Sequence, residues 1–356
     1  MATNRTDVTR GYVTIPSLTN EKQIIQMYYE TIGEGEPVIF LHQCMWNSFE
    51  FERVLPIVAA AGFKCYAPDH LGFGYSTPAP RGMELTDFTQ AVIDFMDGLG
   101  IQKASFCGQH SGSLVMADIA ARFPERVDKL IFGGLAIYGD EIRKDKRARR
   151  DQIGAFTMAI TRNLKPGEVV GPENGFLQRK EDGSHMAAMF LEQLNENPDS
   201  KFEYVQRAAM ANMMHFDKGG SCLMTALYAW DMKKVLPFVK QPSLQLVGSM
   251  DCVKPPVFET VDHAASRLGS KINKIKVIEH AGIMGWLDYP WEFAQEVIAF
   301  LRDPEGYVGT TGWALHRYMK ETMFPVEEIL NYEEHVVYPE GADEIEVEPF
   351  TTDNVL

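Results

Sequence analysis

A chain of 356 residues with 45% hydrophobic content is long enough for one α/β core, an inserted region and a tail. Its net charge of −15 argues against a nucleic-acid partner, and the absence of an 18-residue apolar run argues against a membrane-spanning helix. The polar stretch Met1–Tyr12 lacks a signal-peptide pattern, and five cysteines (Cys44, Cys65, Cys107, Cys222, Cys252) without metal-ligand spacing read as reduced thiols of a cytoplasmic protein.

Taken in order, residues 11–18 and 23–31 alternate apolar and polar as two strands, with a turn near Thr19-Asn20. Val38–Leu41 is short and wholly apolar, as a buried strand should be, and it ends in His42-Gln43-Cys44. Residues 47–61 predict a helix stopped by Gly62. Phe63–Ala67 is the next strand and leads into Asp69-His70-Leu71-Gly72-Phe73-Gly74-Tyr75-Ser76. Helix 85–98 follows, with Leu85, Phe88, Val92, Phe95 and Met96 on one face. Next a short apolar run after Ala104 enters a Gly-x-His-x-Gly turn, a helical pattern leaves it (Leu114, Val115, Ala117, Ile119, Ala120), and strand Lys129–Phe132 follows. Strands alternating with helices at this spacing predict a mostly parallel sheet covered on both faces, with ligands beyond the carboxyl ends of the strands.

The rhythm stops at about Gly139. Residues 139–235 carry helical patterns and no clear strand, and predict a helical cap. The cap opens with a basic cluster (Arg143, Lys144, Lys146, Arg147, Arg149, Arg150), read chiefly as a solvated face and secondarily as a dock for an acidic segment. It is rich in methionine (Met158, Met186, Met189, Met210, Met213, Met214, Met224, Met232), which suits packing and an apolar pocket roof. The core resumes with strand Ser243–Val247, helix 256–268, strand Lys274–Ile278 and helix 290–302. Residues 311–323 predict a short helix within an extension whose part from Glu321 onward holds eleven acids and no Lys or Arg. The expected divisions are core 1–138, cap 139–235, core 236–302 and acidic extension 303–356.

The central stretch is Gly108-Gln109-His110-Ser111-Gly112, between a strand and a helix. A turn this sharp crowds its middle residue, so glycines are needed two positions before and after it. This resembles the nucleophile elbow of the α/β-hydrolase fold superfamily (epoxide hydrolases, haloalkane dehalogenases, C–C hydrolases), with histidine at the nucleophile position. The resemblance covers roughly residues 23–302, and four loops agree in order: His42, Asp69–Ser76, Gly108–Gly112 and Gly248–Asp251. It implies an α/β-hydrolase fold and makes Asp251 the acid. It places the backbone N–H groups of Cys44 and Ser111 in an oxyanion hole. The chain departs from the pattern at Gln43, where the family has glycine, and at Ile283, where the family has its basic histidine.

His110 and Asp251 are therefore the expected catalytic pair of a triad that is not the standard one. His42, Gln43, Trp46, Ile283 and Met284 are the expected pocket residues, although His42 also reads as a hydrogen-bonded structural residue. A serine acyl-enzyme at the elbow is excluded, because no serine stands there; Ser111 as nucleophile would place Gln109 and Ser113 where glycines are needed. A histidine can take or give a proton, which suits elimination, C–C cleavage, isomerisation or cyclisation of a small, largely apolar carbonyl or hydroxyl compound without a metal or cofactor. His280, three residues before Ile283, is an alternative base. His70, Trp286, His185 and His215 read first as packing or surface residues. The competing class is a binding protein that kept the pocket and lost the triad. The acidic extension leaves a homodimer open.

Overall fold

The computed structural model describes residues 7–80, 82–135, 137–138, 200–217, 223, 226–227, 229–251, 258–259 and 261–311. The predicted helix at 311–323, the basic cluster at 143–150, His185 and the acidic extension beyond 311 lie outside these residues, as does most of the predicted cap.

The strands are β1 (Thr9–Thr14), β2 (Gln26–Ile32), β3 (Glu36–Leu41), β4 (Phe63–Pro68), β5 (Ala104–Gln109), β6 (Val127–Gly133), β7 (Ile137–Tyr138), β8 (Ser243–Gly248), β9 (Phe258–Glu259) and β10 (Asn273–Ile278). Eight of them form one sheet in the order β1-β2-β4-β3-β5-β6-β8-β10. The β1–β2 and β2–β4 pairs are antiparallel, and every later pair is parallel. β7 and β9 pair separately, a short antiparallel ribbon that the sequence patterns did not reveal.

The helices are α1 (Leu55–Ala60), α2 (Leu85–Gly98), α3 (Ser111–Arg122), α4 (Phe202–Asp217), α5 (Met232–Val235), α6 (Val261–Ser266), α7 (Gly285–Asp288) and α8 (Pro290–Arg302). α2 and α8 match their predicted spans, because an amphipathic stripe and clear end signals agree in each. The helix predicted over 47–61 is instead two pieces: a 3-10 turn at Ser48–Phe51, and α1, which restarts with Pro56 in its first turn. Proline lacks an N–H and fits only there. Among the described residues of the predicted helix 256–268, only Val261–Ser266 is helical, following β9.

Two apolar clusters sandwich the sheet. One gathers α2, α3 and α5 around Phe88, Leu114, Val115 and Phe132. The other packs α1, α7 and α8 around Phe40, Phe51, Trp286 and Phe300. Tyr204 and Val205 of α4 join the first cluster, as does Met232 of α5, whereas Met210 of α4 is exposed. At the open edge, Thr310 crosses β10: its N–H donates to Ile275 O (2.7 Å) and its Oγ1 accepts from Val277 N–H (3.0 Å). That cross-link gives an otherwise unpaired strand edge its partners. Among the described residues no helix is long and apolar enough to cross a membrane.

Candidate active site

The site is built where β5 turns into α3. His110 holds this turn with φ 41° and ψ −106°, a left-handed conformation that side chains rarely adopt. The flanking glycines permit it for a steric reason visible on both sides. A Cβ on Gly108 would lie 2.7 Å from the Gly112 carbonyl carbon, and one on Gly112 would lie 2.0 Å from Leu41 O. The turn is tied down by the His110 N–H, which donates to Gly133 O at 2.6 Å.

β8 ends in Gly248, and the chain then turns so that Asp251 faces the elbow. The imidazole Nε2 of His110 lies 2.9 Å from Asp251 Oδ1 and 3.0 Å from Oδ2. His110 is about one-fifth exposed, while Asp251 is buried. Behind them a short relay fixes the carboxylate. Trp286 Nε1 donates to Gln109 Oε1 (2.8 Å), and Gln109 Nε2 donates to Asp251 Oδ2 (3.3 Å). A ring that donates Nε2–H to Asp251 has Nδ1 as its basic nitrogen.

β3 lies beside β5 in parallel register, Leu41 opposite Gly108, so the residues after β3 stand against the elbow. There the Cys44 N–H donates to Ser111 Oγ. Met45 follows with φ 73°, a second strained residue at the same place. The two expected oxyanion-hole residues are thus adjacent, but the Cys44 N–H is already satisfied by the Ser111 hydroxyl.

Comparison with known proteins agrees with this fold. A family model described as the alpha/beta hydrolase fold matches residues 36–144. The bromoperoxidase from Bacillus anthracis superposes with a TM-score of 0.63 at 18% identity, over 83% of this chain and 100% of that one. The epoxide hydrolase VrEH1 from Vigna radiata gives 0.61 at 14% identity, over 84% and 99%. The chain has the α/β-hydrolase fold. In sequence it is 35% identical over 141 residues to a putative non-heme haloperoxidase of Mycobacterium phage D29, covering 39% of this chain and 49% of that protein. It is also 31% identical over 128 residues to the bifunctional epoxide hydrolase 2 of Mus musculus, covering 35% and 22%. These matches span half or less of the relatives' own lengths.

Within this α/β-hydrolase fold the other expected site residues separate clearly. Trp46, Ile283 and Met284 are buried in the apolar cluster that also holds Cys44, Met45 and Tyr204. Ile283 has no group able to exchange a proton. His42 is a correction: its ring is wholly buried and both nitrogens serve the backbone. Nδ1 lies 2.7 Å from Gln43 O, and Nε2 accepts from the His70 N–H at 2.9 Å. Burial pushes its basicity down to about 4, so the ring is neutral and structural, not part of a pocket wall. His70 packs edge-on against it at 4.7 Å, and burial likewise holds it well below the ordinary histidine value.

Gln43 is a second correction. It is bound to buried Glu50, its backbone N–H donating to Oε2 (2.9 Å) and its side-chain Nε2 to Oε1 (2.8 Å). His280, the alternative base, is a loop residue: it is exposed on a turn with φ 64°, its N–H held by Ser249 Oγ at 2.8 Å. His215 lies on α4, and its side chain is outside the described residues. Trp286 is buried as a donor to Gln109, wedged between Phe51 and Phe293.

Glu50 is the residue that sequence reasoning passed over. It lies inside the helix predicted over 47–61, where a glutamate reads as solvated, but it is completely buried. Burial raises its pKa to about 8, against the lowering effect of its Gln43 bonds and of His110. The nearby thiols are held neutral in the same way, Cys44 being pushed up to about 12. Asp69 is structural: it accepts from Ser48 N–H (2.7 Å) and Tyr75 N–H (2.8 Å), and Gly74 is obligatory because a Cβ there would lie 1.9 Å from Asp69 Oδ2. Among the described residues no group of His, Cys, Asp and Glu is arranged to hold a metal ion.

Proposed function

We propose that this α/β-hydrolase-fold protein is an enzyme in which His110, oriented by Asp251, exchanges protons with a small, largely apolar carbonyl or hydroxyl compound. The observation that carries this reading is the two-pronged contact of His110 Nε2 with both Asp251 oxygens. The elbow histidine meets the acid itself, in a chain whose usual base position is Ile283. Nδ1 takes a proton from an acidic C–H or O–H, and the imidazolium that forms is stabilised by Asp251. The electron pair left on the ligand collects on a carbonyl oxygen as an enolate or alkoxide. The backbone N–H groups of Ser111 and Cys44 are the donors within reach of such an oxygen, the latter once the Ser111 hydroxyl yields its place. Nδ1–H then returns the proton to a different atom, completing a lyase, isomerase or C–C cleaving step. The apolar surroundings of Trp46, Ile283 and Met284 support an apolar ligand.

A second reading, a ligand-binding protein without turnover, is favoured by one observation: Ser111 already occupies the Cys44 N–H. One experiment separates the two. His110→Ala is expected to abolish turnover of a converted carbonyl compound while calorimetry still shows binding. Undiminished turnover in that variant would refute the acid–base reading, and binding without turnover in the unaltered protein across such compounds would favour the second. The paired change His110→Ser with Ile283→His is expected to introduce ester hydrolysis.

A further inference from the structure

Glu50 is a buried carboxyl that the acid–base scheme does not use. It lies on the 3-10 turn Ser48–Phe51, and both of its oxygens are engaged by Gln43. Gln43 immediately precedes Cys44, and the strand leading to them lies in register with the strand leading to His110. The approach there is close enough that a Cβ on Gly112 would stand 3.0 Å from His42 O. Glu50 is therefore anchored to Gln43, one residue from the N–H that meets Ser111, in the segment that follows the strand adjoining the elbow.

We propose that Glu50 is a positioning residue of this site, which clamps the Gln43-Cys44 segment and, through its own proton, governs the charge balance of the His110–Asp251 pair. The inference rests on the acid–base reading for its functional meaning, but its test does not require turnover.

Three points support it. A glutamate with no exposure is rarely tolerated unless its bonds have a purpose, and here one residue supplies two donors to it. The charges acting on Glu50 include those of His110, which favours its ionised form, and Asp251, which opposes it. The elements packed on the turn carry further titratable groups: Cys65 on β4, Cys107 on β5 and Asp288 on α7. Both thiols are held protonated by burial, and Asp288 is occupied by the Ser200 hydroxyl. With Glu50 neutral the site holds one carboxylate for one imidazole. With Glu50 ionised it holds two, and a proton on His110 is retained more strongly.

The test is a pH titration of the His110 ring followed by NMR, with its signals assigned by their loss in His110→Ala. The unaltered protein is expected to show, besides the ring's own titration, a second step near pH 8 from Glu50. In Glu50→Gln that step should vanish. In Gln43→Ala, a milder change that leaves the carboxyl in place, it should move upward by on the order of one pH unit, because a donor that favours the carboxylate is gone. A single-step titration in the unaltered protein, a step that persists in Glu50→Gln, or one unmoved in Gln43→Ala would overturn the proposal. Loss of turnover in His110→Ala bears on the acid–base reading alone.

Discussion

His110 Nε2 stands within 3.0 Å of both oxygens of Asp251, so the residue at the elbow is bonded directly to the acid of the fold. The contact fixes which nitrogen carries the proton. It also holds the imidazole of this residue in one orientation, backed by Gln109 and Trp286. In Asp251→Asn the amide still reaches the ring, but one of its prongs is a donor and the negative charge is gone. Turnover is expected to fall by roughly 10²–10⁴-fold with ligand affinity changed little. Steady-state kinetics with separate measurement of ligand binding would check it.

Gly112 is held to its identity by the neighbouring strand and not by the chemistry. An added Cβ would lie 2.0 Å from Leu41 O, a backbone atom that cannot rotate away. Gly112→Ala is therefore expected to push β3 from the elbow and to destabilise the protein by about 3 kcal/mol or more. Denaturant unfolding at fixed pH measures this. A variant within ~0.5 kcal/mol of the unaltered chain would show that the elbow relaxes freely.

Gly108 and Gly112 made the fold legible in the sequence. They mark a steric requirement that few other turns have, and Asp69, Gly74, Gly248 and Asp251 repeat that kind of local demand in order along the chain. α2 and α8 were legible for a different reason, since each shows one clean apolar stripe between end signals. What escaped was decided by distant contacts. Glu50 has the sequence context of a surface helix, and its burial follows from Gln43, seven residues earlier. The roles of His42 and Gln43 also turned on partners that spacing does not reveal, namely the His70 N–H and the Glu50 carboxyl. The histidine at the elbow was legible, and its direct bond to Asp251 was visible only in three dimensions.

His42 gives a pH-dependent signature of this architecture. Its folded-state value lies near 4, below that of an unfolded histidine near 6.5, because the buried ring cannot accommodate charge. Between those limits the unfolded chain binds a proton that the folded chain refuses, so this residue's contribution to stability falls as pH drops from about 6.5 to 4. His42→Asn loses the ring's bonds but not in a pH-dependent way. The stability gap between the unaltered protein and this variant is expected to narrow on acidification, by up to ~1.4 kcal/mol per pH unit. Urea unfolding of both proteins at pH 7 and pH 5 would show it. A gap constant with pH would mean that His42 titrates as an ordinary histidine.

Trp286 tests whether the relay behind Asp251 matters. Its indole N–H donates to Gln109, and its ring packs against Phe51 and Phe293 in a wholly buried position. Trp286→Phe keeps most of the apolar contact but leaves Gln109 Oε1 without this donor. A stability loss of about 1–3 kcal/mol is expected from the unmet acceptor and the smaller ring. If Gln109 then turns to find another donor, Asp251 loses its hold and kcat should drop several-fold at unchanged KM. Unchanged kcat together with the stability loss would confine the role of Trp286 to packing.

Ser111 decides how the oxyanion donors are used. Its hydroxyl accepts the Cys44 N–H, the donor proposed for a negatively charged ligand oxygen. A ligand must displace that hydroxyl before it gains the bond, so the hydroxyl competes with every anion at the site. Ser111→Ala removes the competitor and leaves a buried N–H unsatisfied, which costs about 1–2 kcal/mol of stability in the empty protein. Filling the vacancy should return much of that energy on binding. Enolate-like or carboxylate ligands are therefore expected to bind roughly tenfold more tightly to Ser111→Ala, while neutral ligands of the same shape are unaffected. Calorimetry with a matched acid and amide pair separates these outcomes. Unchanged affinity for both ligands would mean that no ligand oxygen reaches the Cys44 N–H.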